Sequence, residues 1–155
     1  ITWFKTGHDE RMKHGVTGAS SAHLVIDRDG SVTQMVPFNK VAYHAGDGKL
    51  AGKNPNFCAI GIELANRGPL APDSRGCVVF LGAHKHPLVR GIRWEDYDPR
   101  QLEAVFGIGS ALCFTYGIQA ARIVGHDDVA PKIKCDPGPA FPMDDFRNYC
   151  SKQGE

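Results

Sequence analysis

Short apolar runs set off by turn residues fill the first half of the chain, and a longer run with helical period fills part of the second. His23-Leu24-Val25-Ile26 reads as a strand, Asp27-Arg28-Asp29-Gly30 as a turn, and Ser31 to Val36 as the returning strand, so residues 22 to 37 predict a β-hairpin. Val41 to Gly46 leads into a Gly- and Asn-rich loop ending near Asn56. Ala59-Ile60-Gly61-Ile62-Glu63-Leu64 reads as a second strong strand, and its nearly continuous apolar character predicts burial on both faces. Residues 66 to 97 are irregular, broken by Pro69, Pro72 and Gly76, with Cys77-Val78-Val79-Phe80-Leu81 as a short strand or edge hairpin.

A helix follows. Asp98 is a good N-cap, Pro99 takes the first helical position, and Gln101 is placed to complete a capping box. Leu102, Val105, Phe106, Leu112, Cys113 and Tyr116 recur at helical spacing until Gly117 ends the run. Arg122-Ile123-Val124 predicts a short strand that delivers His126 at its carboxyl end, and a last short helix runs around Met143 to Cys150. The chain opens inside a helix-like stretch, Thr2-Trp3-Phe4-Lys5. Strands alternating with helices predict an α/β sheet covered on both sides, and ligands in such sheets bind beyond the strand ends, where His126 falls. No internal repeat, low-complexity tract or linker interrupts this order.

Composition narrows the function classes. With 155 residues the chain fits one domain with a single sizeable core, and 42% hydrophobic with 23% charged residues is ordinary for a globular protein. A formal net charge of +1 provides no global field for nucleic acid. No apolar run approaches the ~18 residues of a membrane span. Cys58, Cys77, Cys113, Cys135 and Cys150 are scattered and contain no C-x-x-C pair, which removes zinc ribbons and thioredoxin-type motifs. Cys113 is expected as a small core hydrophobe, and one or two disulfides are allowed.

The chemistry concentrates near the end, in Gly125-His126-Asp127-Asp128-Val129-Ala130-Pro131-Lys132-Ile133-Lys134-Cys135-Asp136-Pro137-Gly138-Pro139. In an extended backbone Lys134 and Asp136 share a side while Cys135 faces away. A loop that turns His126 to the same side offers a nitrogen and an oxygen ligand suited to zinc, with a cation beside them. The plain alternative is a surface turn, since Asp-Pro-Gly-Pro is also an ordinary turn signal. Glu63 is a lone carboxylate among apolar residues, which raises the pKa of a group left unpaired and suits proton transfer; on a sheet margin it is merely solvated. Tyr43 and His44, before Ala45-Gly46, form either a ligand wall or a solvated loop.

Five blocks stand in a familiar order: Ser21-Ala22-His23-Leu24-Val25-Ile26-Asp27-Arg28-Asp29-Gly30, then Val36-Pro37-Phe38, then Tyr43-His44-Ala45-Gly46, then Ile60-Gly61-Ile62-Glu63-Leu64-Ala65-Asn66, then Gly125-His126 through Asp136-Pro137-Gly138-Pro139. This order resembles the amidase-2 family, zinc N-acetylmuramoyl-L-alanine amidases of the AmpD and AmiD type, related to phage lysozyme-type amidases and peptidoglycan recognition proteins. The resemblance covers most of the chain, with 67 to 97 as a family-variable stretch. It implies a central mixed β-sheet flanked by helices on both faces. It further implies that His126 and Asp136 bind Zn2+, that Glu63 handles the proton of the attacking water, and that Lys134 steadies the oxyanion. Tyr43 and His44 would line the cleft for a peptidoglycan or muropeptide substrate.

One departure stands out. The family carries a further zinc-binding His on an opening strand, ahead of the helix resembled by Thr2-Trp3-Phe4-Lys5, whereas this sequence begins after that point. His8 and His14 lie between helix and hairpin and are not taken as ligands, and His23 occupies a block where the family's His is near the cleft without binding metal. The expectation is therefore a single amidase domain over residues 1–155 that lacks its first strand. Two other readings are kept: a peptidoglycan-binding module that does not cut, and a cysteine hydrolase pairing Cys135 with His126.

Overall fold

The structure is a computed structural model that describes residues 20–70, 79–80, 93–132 and 134–152. Strand β1 (Leu24–Ile26) and strand β2 (Val32–Gln34) form the expected antiparallel hairpin. Its turn closes through Gly30 N–H to Asp27 O at 3.0 Å and Asp27 N–H to Ser31 O at 2.9 Å. Strand β3 (Ile62–Leu64) lies parallel to β1 on the other side, giving the order β2-β1-β3 and a mixed sheet.

The parallel register pairs Leu24 with Ile62, Val25 with Glu63 and Ile26 with Leu64. Side chains of paired residues share a face and neighbours alternate. Ile26, fully buried, and the partly buried Ile62 and Leu64 all join the main core, so Val25 and Glu63 project from the opposite face. The expected burial of β3 on both faces is corrected: all three of its residues are only half-buried. The apolar run reads as continuous because the one polar residue, Glu63, faces a different environment from its neighbours.

Strands β4 (Val79–Phe80) and β5 (Trp94–Glu95) pair antiparallel, and this agrees with the expected short hairpin strand near Val79. Helix α1 (Pro99–Tyr116) starts and stops where the sequence places it. Asp98 accepts a hydrogen bond from Arg100 N–H, and Gly117 closes the helix in the left-handed conformation at φ 63°. Gln101 departs from its expected role. Its side chain does not turn back to the cap; fully buried, it donates to Ile26 O at 2.9 Å and Ala65 O at 3.2 Å, tying the helix to the ends of β1 and β3. A capping box satisfies one exposed amide, whereas this arrangement satisfies two carbonyls where water cannot compete.

Val105 and Cys113 on α1 meet Ile26, Tyr97, Phe141, Phe146 and Cys150 in one core. Helix α2 is the short His126–Val129 turn, and helix α3 (Met143–Lys152) packs on α1. The Phe146 ring packs against Gly109, where a Cβ would lie 2.3 Å from it. The strand expected at Arg122-Ile123-Val124 does not form. Ala120–Arg122 makes a 3-10 turn and Ile123 continues in extended conformation outside any strand, because so short an apolar patch becomes a strand only where a ladder partner is present. His126 is thus delivered at the start of a helical turn.

Cys58, Cys113, Cys135 and Cys150 are free thiols, and Cys113 is buried in the core as expected. The helix expected at Thr2 to Lys5, His8, His14, Cys77 and most of 67 to 97 fall outside the described residues. Among the described residues no helix is long and apolar enough to cross a membrane.

Gln101→Met keeps the side-chain length and removes both donors. Urea denaturation should then show a loss of about 1–3 kcal/mol, the cost of removing two side-chain hydrogen bonds made away from water. An unchanged midpoint would show that Gln101 does not tie helix to sheet.

Candidate active site on the face opposite the core

Glu63 projects from the centre of β3, and its Oε1 lies 3.8 Å from Nε2 of His126. The other ring nitrogen of His126, Nδ1, meets Asp136 Oδ2 at 2.5 Å. Side chains from two distant parts of the sequence thus form a line of carboxylate, imidazole and carboxylate. Backbone links set this spacing: Asp127 N–H donates to Asp136 O at 2.9 Å, and Lys134 N–H donates to Ala130 O at 2.9 Å. His23, His44, Glu63, His126, Lys134 and Asp136 line one continuous cavity.

The turn after Asp136 is pinned from behind. Gly138, at φ 76°, lies so close to the fully buried Trp94 that a Cβ there would sit 2.3 Å from the indole. The Tyr97 hydroxyl donates to Pro137 O at 2.9 Å. Asp-Pro-Gly-Pro bends the chain at Pro137, half-buried rather than on the open surface, and its glycine is required by an aromatic ring packed against it.

The electrostatics follow from burial and proximity. Burial pushes the Glu63 carboxyl up, aided by Asp136 and opposed by His126 and Lys134. This is the direction expected from its apolar flanks. For His126 burial disfavours the charge, but the hydrogen bond and charge of Asp136, with Glu63 adding, hold its pKa above the ordinary value. Burial likewise opposes ionisation of Asp136, and the His126 contact outweighs it, so this carboxyl sits below its usual range. The charge of Lys134 acts on all three groups. Cys135 is pushed up by burial and by the carboxylates of Asp136 and Asp127, the reverse of what a nucleophilic thiol requires.

The His44 ring centroid lies 6.3 Å from that of His126 and 6.0 Å from that of His23. Burial, with the neighbouring imidazoles of His126 and His23, lowers its pKa to about 4, so it is neutral at ordinary pH. Its Nε2 is buried without a hydrogen-bond partner. Asn56 fixes the backbone here: its Oδ1 accepts from His44 N–H at 2.9 Å and Ala45 N–H at 2.8 Å, and its Nδ2 donates to Gly46 O at 3.0 Å. Asn56 escaped the sequence reading because it acts through long-range backbone contacts that leave no local pattern. His23 is held between Gly61 N–H on Nδ1 and Lys40 O on Nε2, both at 3.0 Å, which occupies both ring nitrogens. Tyr43 is 51% exposed and meets Phe57, 66% exposed, edge to face at 6.4 Å, an aromatic wall of which the sequence reading named only one half.

An imidazole nitrogen and a carboxylate oxygen converging at one point are donors that zinc takes. His126 and Asp136 fit two positions of such a site. Catalytic zinc normally takes three protein ligands, and among the described residues no group of three metal-binding side chains forms.

A mixed sheet that carries a carboxylate against a His-Asp pair defines an α/β protein with a ready-made polar centre, and comparison with known proteins identifies its kind. The family model described as N-acetylmuramoyl-L-alanine amidase, Amidase_2, matches residues 1–139, and the chain belongs to that family, which is zinc-dependent. It is 35% identical over 134 residues to the 1,6-anhydro-N-acetylmuramyl-L-alanine amidase AmpD of Escherichia coli, covering 86% of this chain and 60% of that protein. It is 33% identical over 112 residues to the N-acetylmuramoyl-L-alanine amidase AmiD of Escherichia coli, covering 72% of this chain and 35% of that protein. The chain thus spans no more than 60% of the length of either relative. Among solved structures, a selenomethionine AmpD derivative aligns with TM-score 0.64 at 30% identity, over 90% of this chain and 65% of that one. AmiD from Escherichia coli in complex with anhydro-N-acetylmuramic acid-L-Ala-D-gamma-Glu-L-Lys aligns with TM-score 0.67 at 26% identity, over 92% of this chain and 52% of that one.

Gly61 leaves the space that His44 fills: a Cβ there would lie 2.4 Å from the imidazole. Gly61→Ala should displace the ring, lower stability by about 1–3 kcal/mol through overpacking and shift the His44 imidazole resonances in NMR spectra. Retention of the wild-type resonances would show that the ring does not rest on Gly61.

Proposed function

We propose that the chain is a zinc-dependent amidase that hydrolyses the amide bond between N-acetylmuramic acid and L-alanine in peptidoglycan or muropeptides. The observation that carries this reading is the convergence of Glu63, His126 and Asp136, with Glu63 Oε1 3.8 Å from His126 Nε2, within a chain of this family. His126 and Asp136 are the residues that would hold zinc. When bound, the metal lowers the pKa of water towards ~7 and polarises the scissile carbonyl.

The side chains supply the rest. Glu63, with its carboxyl raised by burial, is suited to take a proton on Oε1 from the attacking water and to return it to the departing alanine nitrogen. Lys134 brings positive charge to the place where the carbonyl oxygen becomes negative. Tyr43 walls the cleft, and His44 contributes a neutral imidazole to it. The substrate named for AmpD and the anhydro-muropeptide bound in the AmiD complex support a muropeptide as ligand. A binder that does not cut has no use for a buried carboxyl beside an imidazole, which favours the enzyme.

The test uses N-acetylmuramoyl-L-alanyl-D-isoglutamine and follows release of the dipeptide. Glu63→Ala and Lys134→Ala should each lower turnover by roughly 10²–10⁴-fold while zinc content stays as in the wild type, the size expected for a lost proton-transfer or oxyanion group. Near-normal turnover in either variant removes that residue from the mechanism. A chelator should abolish the reaction and added zinc restore it, whereas alkylating Cys135 should leave it intact; the opposite pair of results would favour the cysteine hydrolase.

A further inference from the structure

Arg147 lies on α3, beyond residue 139 where the family match ends, and reaches back to the turn that presents His126. Its Nε donates to Ile123 O at 2.9 Å. Its Nη2 lies 3.6 Å from Asp128 Oδ2, the same oxygen that accepts Gly125 N–H at 2.9 Å. One guanidinium therefore grips both ends of the segment around His126: the carbonyl three residues before it and, through Asp128, the amide immediately before it. A planar fork with several donors can do this, and a lysine ammonium on a flexible stem cannot reproduce both contacts. Helix α3 is itself seated on α1, where Phe146 packs against Gly109, so the brace hangs from a fixed support.

The segment needs such a brace. Ile123 and Val124 lie outside any strand, and α2 is a single turn of four residues. A ligand carried on such a turn has little intrinsic rigidity. Groups that orient a metal ligand from behind contribute much of a site's affinity, and their loss typically costs ~10–100-fold.

We propose that Arg147 is a positioning residue for the metal centre, holding His126 in the orientation in which its ring faces Asp136. The inference rests on the reading of His126 and Asp136 as zinc ligands. Asp144, 95% exposed, also pairs with Arg147 at 3.6 Å, but it is not connected to the His126 turn and serves as a control.

The experiment measures zinc affinity by competition with a chromophoric chelator, beside the thermal midpoint, for the wild-type chain and four variants. Arg147→Ala should weaken zinc binding by ~10–100-fold, and Arg147→Lys should recover only part of the loss. Asp144→Asn should leave affinity unchanged. Phe146→Leu should lower the thermal midpoint and weaken affinity less than Arg147→Ala does, because it loosens the seat of α3 on α1 and leaves the Arg147 contacts in place. If Arg147→Ala does not fold, Arg147→Lys carries the test through its partial loss. Wild-type affinity in the Arg147 variants, or an equal loss in Phe146→Leu, overturns the inference while the zinc reading stands. A wild-type chain that takes up no zinc fails the metal reading, and the positioning role falls with it.

Discussion

The parallel pairing of β3 with β1 is the constraint on which the arrangement rests. Its register places Glu63 beside Val25 and sends Ile62 and Leu64 to the side of Ile26. Because side chains alternate along a strand, a slip of one residue would drive the Glu63 carboxyl into the core beneath α1 and expose both aliphatic neighbours. The cost of burying an unpaired carboxylate therefore enforces the register that the site requires. Gln101 strengthens it from the helix side by bonding the carbonyls that follow β1 and β3.

Against this rigid element stands a segment with almost no regular structure. Residues 123 to 138 contain two prolines, Pro131 and Pro137, and the described residues among them form one helical turn and hold their shape through contacts with distant parts of the chain. Trp94 packs on Gly138, the Tyr97 hydroxyl holds Pro137, and Arg147 reaches Ile123 and Asp128. The division of labour is physical. A sheet fixes one carboxylate with great economy but cannot curve its own backbone around a metal, so the remaining groups come from a loop that is braced externally. The same burial that raises the Glu63 pKa lowers that of His44, because the cavity disfavours the charged form of each.

Much of the fold was legible in order and type. The hairpin, the helix from Pro99 to Tyr116 with its Asp98 cap and Gly117 stop, and the last helix stand where pattern and cap chemistry put them. The errors share a cause. Arg122-Ile123-Val124 has strand composition but no ladder partner, Gln101 has the capping-box position but a better use in the interior, and β3 looks doubly buried only if Glu63 is ignored. In each case local preference was overruled by what the segment meets in space. The candidate site was legible as a set of residues, through the order of five sequence blocks, and not as a geometry.

What the sequence by itself determined is the chemistry available: a carboxylate isolated among aliphatic residues, a histidine and an aspartate ten residues apart around a lysine, and turn residues that allow them to meet. Those choices are local, because protonation range, ligand type and turn preference belong to individual side chains and their immediate neighbours. Only the tertiary structure decided that Glu63 faces His126, that Asn56 holds the wall bearing His44, and that Arg147 braces the turn from the last helix. Those outcomes depend on distance and exclusion of water between segments far apart in the chain, and neither quantity is defined until the chain has packed.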